Sequence, residues 1–169
     1  MTDPPSSGSL AVTTIAKRPD LLPIVAEWLW REWWERRGRT LAETQAIYAT
    51  CCAGIGAPQT FVLLSGDIPI GTATLARKDL EERPDLTPWL AGVFVVPGAR
   101  GHGCVRHLLT AFDEACRAAS IETSWLYTNT AERIYLRAGW TVAELIERPN
   151  RPPATLMRRD FTHKTITSN

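Results

Sequence analysis

The sequence predicts a single α/β domain whose mixed, mostly antiparallel central sheet is flanked by helices. Three observations carry this. The chain has 169 residues, long enough for one compact core and short for two. Residues 60–64 and 68–76 are apolar runs joined by a Gly66-Asp67 turn, the pattern of a β-hairpin. Residues 93–109 read VFVVPGARGHGCVRHLL, a strand that ends at Pro97, a turn with Gly98, Gly101 and Gly103, and a helix beginning near Cys104.

Taken in order, residues 1–9 are rich in Pro, Ser and Gly and are expected to be a disordered tail. A first strand follows at 10–16, and Pro19 opens a helix in which Leu22, Val25, Ala26, Leu29 and Trp33 recur at helical steps as a core-facing stripe. Trp30 and Trp34 lie beside that stripe and Trp28 on the opposite flank. They suit the edge of the core, and one or two of them suit the wall of a ligand pocket. Gly38 ends this helix. Thr40 with Glu43 forms a capping box for a second one over 41–53. After the hairpin, residues 78–88 carry the acids Asp79, Glu81, Glu82 and Asp85 against the bases Lys78 and Arg83. This stretch reads either as a solvated loop or as the rim of a site that attracts a protonated amine. Residues 89–96 form the strand that leads to the glycine turn. The helix after it sets Val105, Leu108, Leu109, Phe112, Cys116 and Ala119 on one face. Strands are expected at 124–128, 140–147 and 154–161, with a short helix over 131–138 ended by Gly139. The domain thus spans 10–161, with a loose tail at 162–169.

Composition narrows the function classes. Nineteen basic and 18 acidic side chains leave a net charge of +1, and the bases are dispersed, so neither nucleic acid nor an anionic membrane is an expected partner. No apolar run approaches ~20 residues and no signal-peptide pattern opens the chain, so the cytoplasm is the expected location. Cys51, Cys52, Cys104 and Cys116 have no C-x-x-C spacing, and His102, His107 and His163 have no metal-ligand spacing. No metal is expected, and Cys51 and Cys52 read as packed thiols.

The glycine turn carries the chemistry. A turn feeding a helix N-terminus presents N–H groups that no carbonyl of the helix can reach, with the positive end of the helix dipole behind them. It is an anion cradle suited to a phosphate or pyrophosphate. It is neither a dinucleotide fingerprint, since Arg106 stands where the third glycine would be, nor a P-loop, since the chain contains no Gly-Lys pair.

The stretch resembles the coenzyme A loop of the GNAT N-acetyltransferases, V-x-P-x-x-[QR]-x-x-G-x-[GA]. The match runs through Val95, Pro97, Arg100 and Gly103 and departs at Val105, where the family has Gly or Ala. A second segment, Ala131, Ile134, Tyr135, Gly139 and Trp140, is similar to the family's A-x-x-[FLI]-Y-x-x-x-G-[FW]. Thr128, followed by Asn129, stands where the family has Asn. The resemblance covers residues 10–161. It implies a GNAT-like fold and transfer of an acetyl group from acetyl-CoA to an amine, on a small molecule or a peptide N-terminus. It implies that the acceptor wall comes from the first two helices, and it leaves a homodimer open. It also implies that the main chain of Phe94, Val95 and Val96 pairs with the pantetheine arm. Arg100, the amides of Gly101, His102, Gly103, Cys104 and Val105, and the Thr128-Asn129 pair would complete the coenzyme site.

Amine acylation requires that the amine lose a proton and that the departing sulfur gain one. Tyr135 is the candidate donor, since a phenol of pKa near ~10 keeps its proton at neutral pH. No base is legible: residues 89–93 carry no carboxylate, and Glu32, Glu81 or Glu82 acting through a water, or no side chain at all, remain open. Cys104, at a helix N-terminus, has the position of an activated thiol, although the family implies direct transfer. Two other classes stay open, a non-catalytic acyl-CoA sensor and a partner-binding protein that uses the Trp-rich helix.

Overall fold

The computed structural model describes residues 8–162. All but Gly8, Ser9 and Thr162 of the expected tails lie outside the described residues. Seven strands form one sheet in the order β1-β2-β3-β4-β5-β7-β6. They are β1 (Leu10–Thr14), β2 (Gln59–Ser65), β3 (Ile68–Ala76), β4 (Trp89–Val95), β5 (Thr123–Thr128), β6 (Thr141–Ile146) and β7 (Ala154–Asp160). Strands β1 to β4 are antiparallel to their neighbours, β4 and β5 are parallel, and β5, β7 and β6 are antiparallel again. The helices are α1 (Leu22–Leu29), α2 (Leu41–Ala49), α3 (Cys104–Ala118) and α4 (Glu132–Arg137). Helix α3 is the crossover that parallel pairing requires.

The middle of the sheet is covered on both faces, and β2 shows why it reads as a continuous apolar run. Phe61 and Leu63 pack with Leu108, Phe112 and Cys116 of α3. Val62 and Leu64 point the other way, into Val25, Leu29 and Tyr48 from α1 and α2. Each fully buried Leu or Phe here is worth roughly 1.5–3 kcal/mol of apolar burial. Two of the helices differ from expectation. The first does not run unbroken to Gly38: after Leu29 the chain takes a π turn at Trp30–Trp34 and a 3-10 turn at Glu35–Arg37. Helix α2 keeps its capping box but stops at Ala49, because Cys51 and Cys52 turn outward to pair with the start of β2. Thr60 N–H donates to Cys51 O (3.1 Å) and Cys52 bridges to Gln59. Cys51 is a packed thiol, as expected, whereas Cys52 is exposed.

One irregularity shapes the functional region. Thr72 faces Phe94 while Thr74 faces Ala91, so β4 carries an extra residue, a bulge at Gly92-Val93. Gly92 has φ +58°, and Leu29 and Tyr48 lie within ordinary contact of where its Cβ would stand. A bulge bends its strand, and β4 meets β5 at a single pair, Trp89 with Trp125. Beyond that pair the two strands diverge into a cleft.

Candidate active site

The cradle lies at the C-terminal end of β4. A 3-10 turn at Pro97–Ala99 leads to Gly101 (φ +79°) and Gly103 (φ +74°), the latter capping α3. These left-handed values suit glycine, which has no Cβ to strain. Among the described residues, the N–H groups of Gly101, His102, Gly103, Cys104 and Val105 find no intrachain acceptor. A Cβ added at Gly98, Gly101 or Gly103 would meet nothing within 4 Å. Five orphan donors beside an open surface, at the positive end of a fifteen-residue helix, fit a diphosphate.

The side chains around these amides are placed as follows. Arg100 folds back, its Nε donating to Val95 O (2.8 Å) and its guanidinium lying 5.6 Å from the Phe94 ring centroid. It therefore ties the cradle to the end of β4. The exposed His102 ring lies with Nδ1 2.9 Å from Arg100 O. The Cys104 thiol is buried in the α3 core cluster, and Val105 packs against the same cluster. Only the Cys104 amide faces outward, so burial removes the thiol from any role as nucleophile. The expected main-chain contacts of β4 narrow as well. Val96 N–H donates to Ile70 O of β3 (2.9 Å) and Val95 O is taken by Arg100, so neither group is free for an added strand. Thr128 Oγ1 accepts from Thr130 N–H (3.4 Å) and Ala131 N–H (3.0 Å), which fixes the turn into α4. Asn129 is exposed and lines the cleft.

The cleft itself has a volume of about 350 Å³. Its floor is Ala91, Gly92 and Val93 of β4 and Leu126 and Tyr127 of β5. Tyr135 of α4 closes one side, and Glu32, Trp33 and Trp34 of the π turn, with Tyr48 of α2, close the other. The π turn accounts for the tryptophans: the wider spiral turns Trp33 and Trp34 toward the cleft, while Trp30 is held away by Nε1 donating to Arg39 O (2.7 Å). Trp28 packs on Phe94 with centroids 5.5 Å apart. A more open groove of about 480 Å³, beside Gly56, Arg77, Lys78 and Pro84, contains neither a carboxylate nor a phenol.

Charge is concentrated in the cleft. Asp79 enters it from the loop between β3 and β4, and Arg37 and Arg148 line it too. Burial pushes the Asp79 carboxyl from 3.8 up to about 7, with Arg37 and Arg148 pulling it back down. Tyr135 is pushed up to about 12 by burial, and then by the charge of Asp79. Tyr48 is likewise raised to about 12, chiefly by burial, and Tyr127 is raised for the same reason. All three phenols keep their protons at neutral pH. Arg148, whose side chain is 4% exposed, donates from Nε to Glu82 Oε1 (2.8 Å) and lies 5.5 Å from the Tyr127 ring centroid.

The 78–88 stretch combines both expectations: most of its side chains are exposed, yet it is anchored and sends Asp79 into the cleft. Leu80 is buried against Trp89, Ile146 and Leu156, and Arg83 binds both Asp85 (2.9 Å) and Glu144 (2.7 Å). Of the acids left open as bases, Glu81 and Glu82 pair with Arg151 and Arg148 and do not line the cleft, whereas Glu32 does. Asp79, Tyr48, Arg37 and Arg148 were not singled out by sequence. The one available signal was the excess of acid over base in that stretch, and it does not distinguish Asp79 from its three acidic neighbours.

Among the described residues no helix is long and apolar enough to cross a membrane, and no three His, Cys, Asp or Glu side chains cluster as a metal site would need. The sequence profile of the acetyltransferase (GNAT) domain matches residues 57–142, half of the chain. No curated protein sequence matches. Solved structures share the fold. The Salmonella typhimurium protein yncA, with its cofactor acetyl-CoA, superposes with a TM-score of 0.72 at 15% identity, covering 94% of this chain and 97% of that one. The acetyltransferase of GNAT family from Streptococcus pneumoniae gives 0.71 at 15% identity, covering 91% and 100%. The N-acetyltransferase from Staphylococcus aureus Mu50 gives 0.68 at 17% identity, covering 90% and 99%. A strand that parts from its parallel neighbour, a cradle of free amides at its end and the matched domain together establish that this chain belongs to the GNAT acetyltransferase family and is an acetyl-CoA-dependent acyltransferase.

Proposed function

We propose that the protein moves the acetyl group of acetyl-CoA directly to a primary amine, on a small molecule or a peptide N-terminus, and that residues 10–161 form the domain that does so in the cytoplasm. The observation that carries this reading is the cleft between β4 and β5, which the protonated Tyr135 phenol shares with acids and aromatic walls, on the strand that ends at the free amides.

The amides of Gly101 to Val105 would hold the diphosphate of the coenzyme, and the parted edge of β4 around Val93 its pantetheine arm. When bound, acetyl-CoA supplies an acyl thioester whose carbon becomes bonded to the acceptor nitrogen as the carbon–sulfur bond breaks. Tyr135 holds at its hydroxyl the proton that the departing sulfur requires. Trp33, Trp34, Tyr48 and Tyr127 exclude water and receive the carbon skeleton of the acceptor.

The test is thiol release from acetyl-CoA across a panel of primary amines and short peptides, with Tyr135→Phe as the matched variant. Turnover on at least one acceptor, lowered about 10²-fold or more in the variant with the KM for acetyl-CoA unchanged, is expected for a lost general acid. Saturable acetyl-CoA binding without thiol release from any acceptor would overturn the reading.

A further inference from the structure

Resting on the amine-acetyltransferase reading, we propose that Asp79 is the catalytic base of this chain: from the loop after β3, its carboxylate takes the proton of the incoming ammonium in the cleft.

The placement is the first argument. Residues 89–93 of β4 bear no carboxylate, and of the acids nearby only Asp79 and Glu32 line the cleft. The charge of Asp79 is felt by Tyr48 from α2, Tyr127 from β5 and Tyr135 from α4. These three phenols line the same cleft as Asp79.

The second argument is that Asp79 is unspent. Among the described residues it makes no hydrogen bond and no ion pair, while its loop neighbours are committed: Glu82 to Arg148 (2.8 Å), Asp85 to Arg83 (2.9 Å) and Glu81 toward Arg151 (3.8 Å). The loop that carries it is pinned by Leu80 in the core. A carboxylate held in a partly buried cleft without a partner costs stability, and a proton acceptor needs that free lone pair. Every charged or titratable group facing it is accounted for by Glu32 of the π turn, Arg37 of the turn after it, Tyr48, Tyr127, Tyr135 and Arg148. The two arginines act at a distance and keep part of the carboxyl ionised. The rise of Asp79 to about 7 sets it at the pH where a general base works best.

The proton balance is complete. The ammonium gives one proton to Asp79, and the freed lone pair forms the nitrogen–carbon bond. The sulfur leaves with the bonding pair and takes the Tyr135 proton. The nitrogen's second surplus proton returns to the Tyr135 phenolate, and Asp79 releases its own proton to water.

The experiment is the pH profile of kcat/KM from pH 5.5 to 9.5, with phenethylamine, spermidine and the peptide Ala-Ala-Ala as acceptors. Wild type, Asp79→Asn, Asp79→Glu and Glu32→Gln are compared, and acetyl-CoA binding by calorimetry serves as the control for folding. Expected are an acid limb near pH 7 in the wild type and a loss of about 10²-fold or more in Asp79→Asn, with the limb displaced to higher pH and acetyl-CoA affinity unchanged. Asp79→Glu recovers part of the rate with a shifted limb. An Asp79→Asn variant that keeps both rate and limb overturns the proposal and leaves the transferase intact, as does the same loss appearing in Glu32→Gln instead. A wild type that binds acetyl-CoA yet acetylates none of the three acceptors overturns the amine reading and the base with it.

Discussion

If Asp79 is held in the cleft at the expense of stability, replacing it must reveal that cost, and the cost must depend on pH in one direction only. The native carboxyl is raised from 3.8 to about 7, so between those values the folded chain holds a proton that the unfolded chain has released. Stability contributed by the protonated form is complete below 3.8, falls as pH rises, and is gone above about 7. At ~1.36 kcal/mol for each pH unit, the ceiling on this cost is about 4 kcal/mol above pH 7. Asp79→Asn removes the ionisation and recovers part of it. The variant should therefore gain on the wild type between pH 5 and pH 8.5 by up to about 2.7 kcal/mol, the share that falls between pH 5 and 7. For a chain of this length that is about 5–10 °C in Tm. Thermal unfolding of both proteins at the two pH values, followed by circular dichroism, measures it. A gap that is constant with pH, or one that narrows as pH rises, would refute the buried, unpaired placement of Asp79. A variant stabilised at high pH and catalytically impaired would show why the acid is there: the site keeps a group that the fold would be better without.

The cradle and the second glycine-dependent turn can be tested in the same way. Gly101→Asp places a carboxylate among the free amides at a position where a Cβ meets nothing within 4 Å. The left-handed backbone at φ +79° costs the fold about 1 kcal/mol, while the KM for acetyl-CoA rises about tenfold, a penalty of ~1.4 kcal/mol; an unchanged KM would detach the cradle from coenzyme binding. Gly139→Ala forces a side chain onto a residue at φ +89° and into the Arg159 guanidinium, which donates from Nε to Asp113 at 3.0 Å. A loss of about 2 kcal/mol, or about 4–8 °C in Tm, is expected from the left-handed strain and the displaced ion pair, and a Tm within 1 °C of wild type would contradict it.

The local grammar of the chain determined a good deal on its own. The capping box at Thr40 and Glu43, the hairpin at Gly66-Asp67, the glycine turn into α3 and the stripe of Leu108, Leu109 and Phe112 each depend on residues a few positions apart, and each appears in the structure. The family motifs belong to this class too, because backbone N–H groups at a helix start are set by chain direction rather than by distant partners. The π turn at Trp30–Trp34 and the early end of α2 were not legible. Both arise where tertiary packing and pairing with β2 outweigh an intrinsic preference for helix of a few tenths of a kcal/mol per residue.

The cleft chemistry lay further out of reach. Asp79 has three acidic neighbours in sequence, and what separates it from them is assembly. Leu80 is drawn into the core beside Trp89 and Ile146, the bulge at Gly92 opens β4 from β5, and tyrosines from α2, β5 and α4 close around the carboxylate. The sequence by itself determined the fold class, the glycine turn into α3 and Tyr135 as the phenol to look for. Only the tertiary structure decided which acid enters the cleft partly buried and without a partner, because desolvation is a property of the surroundings a group is carried into, and these come from six segments spread from Glu32 to Arg148.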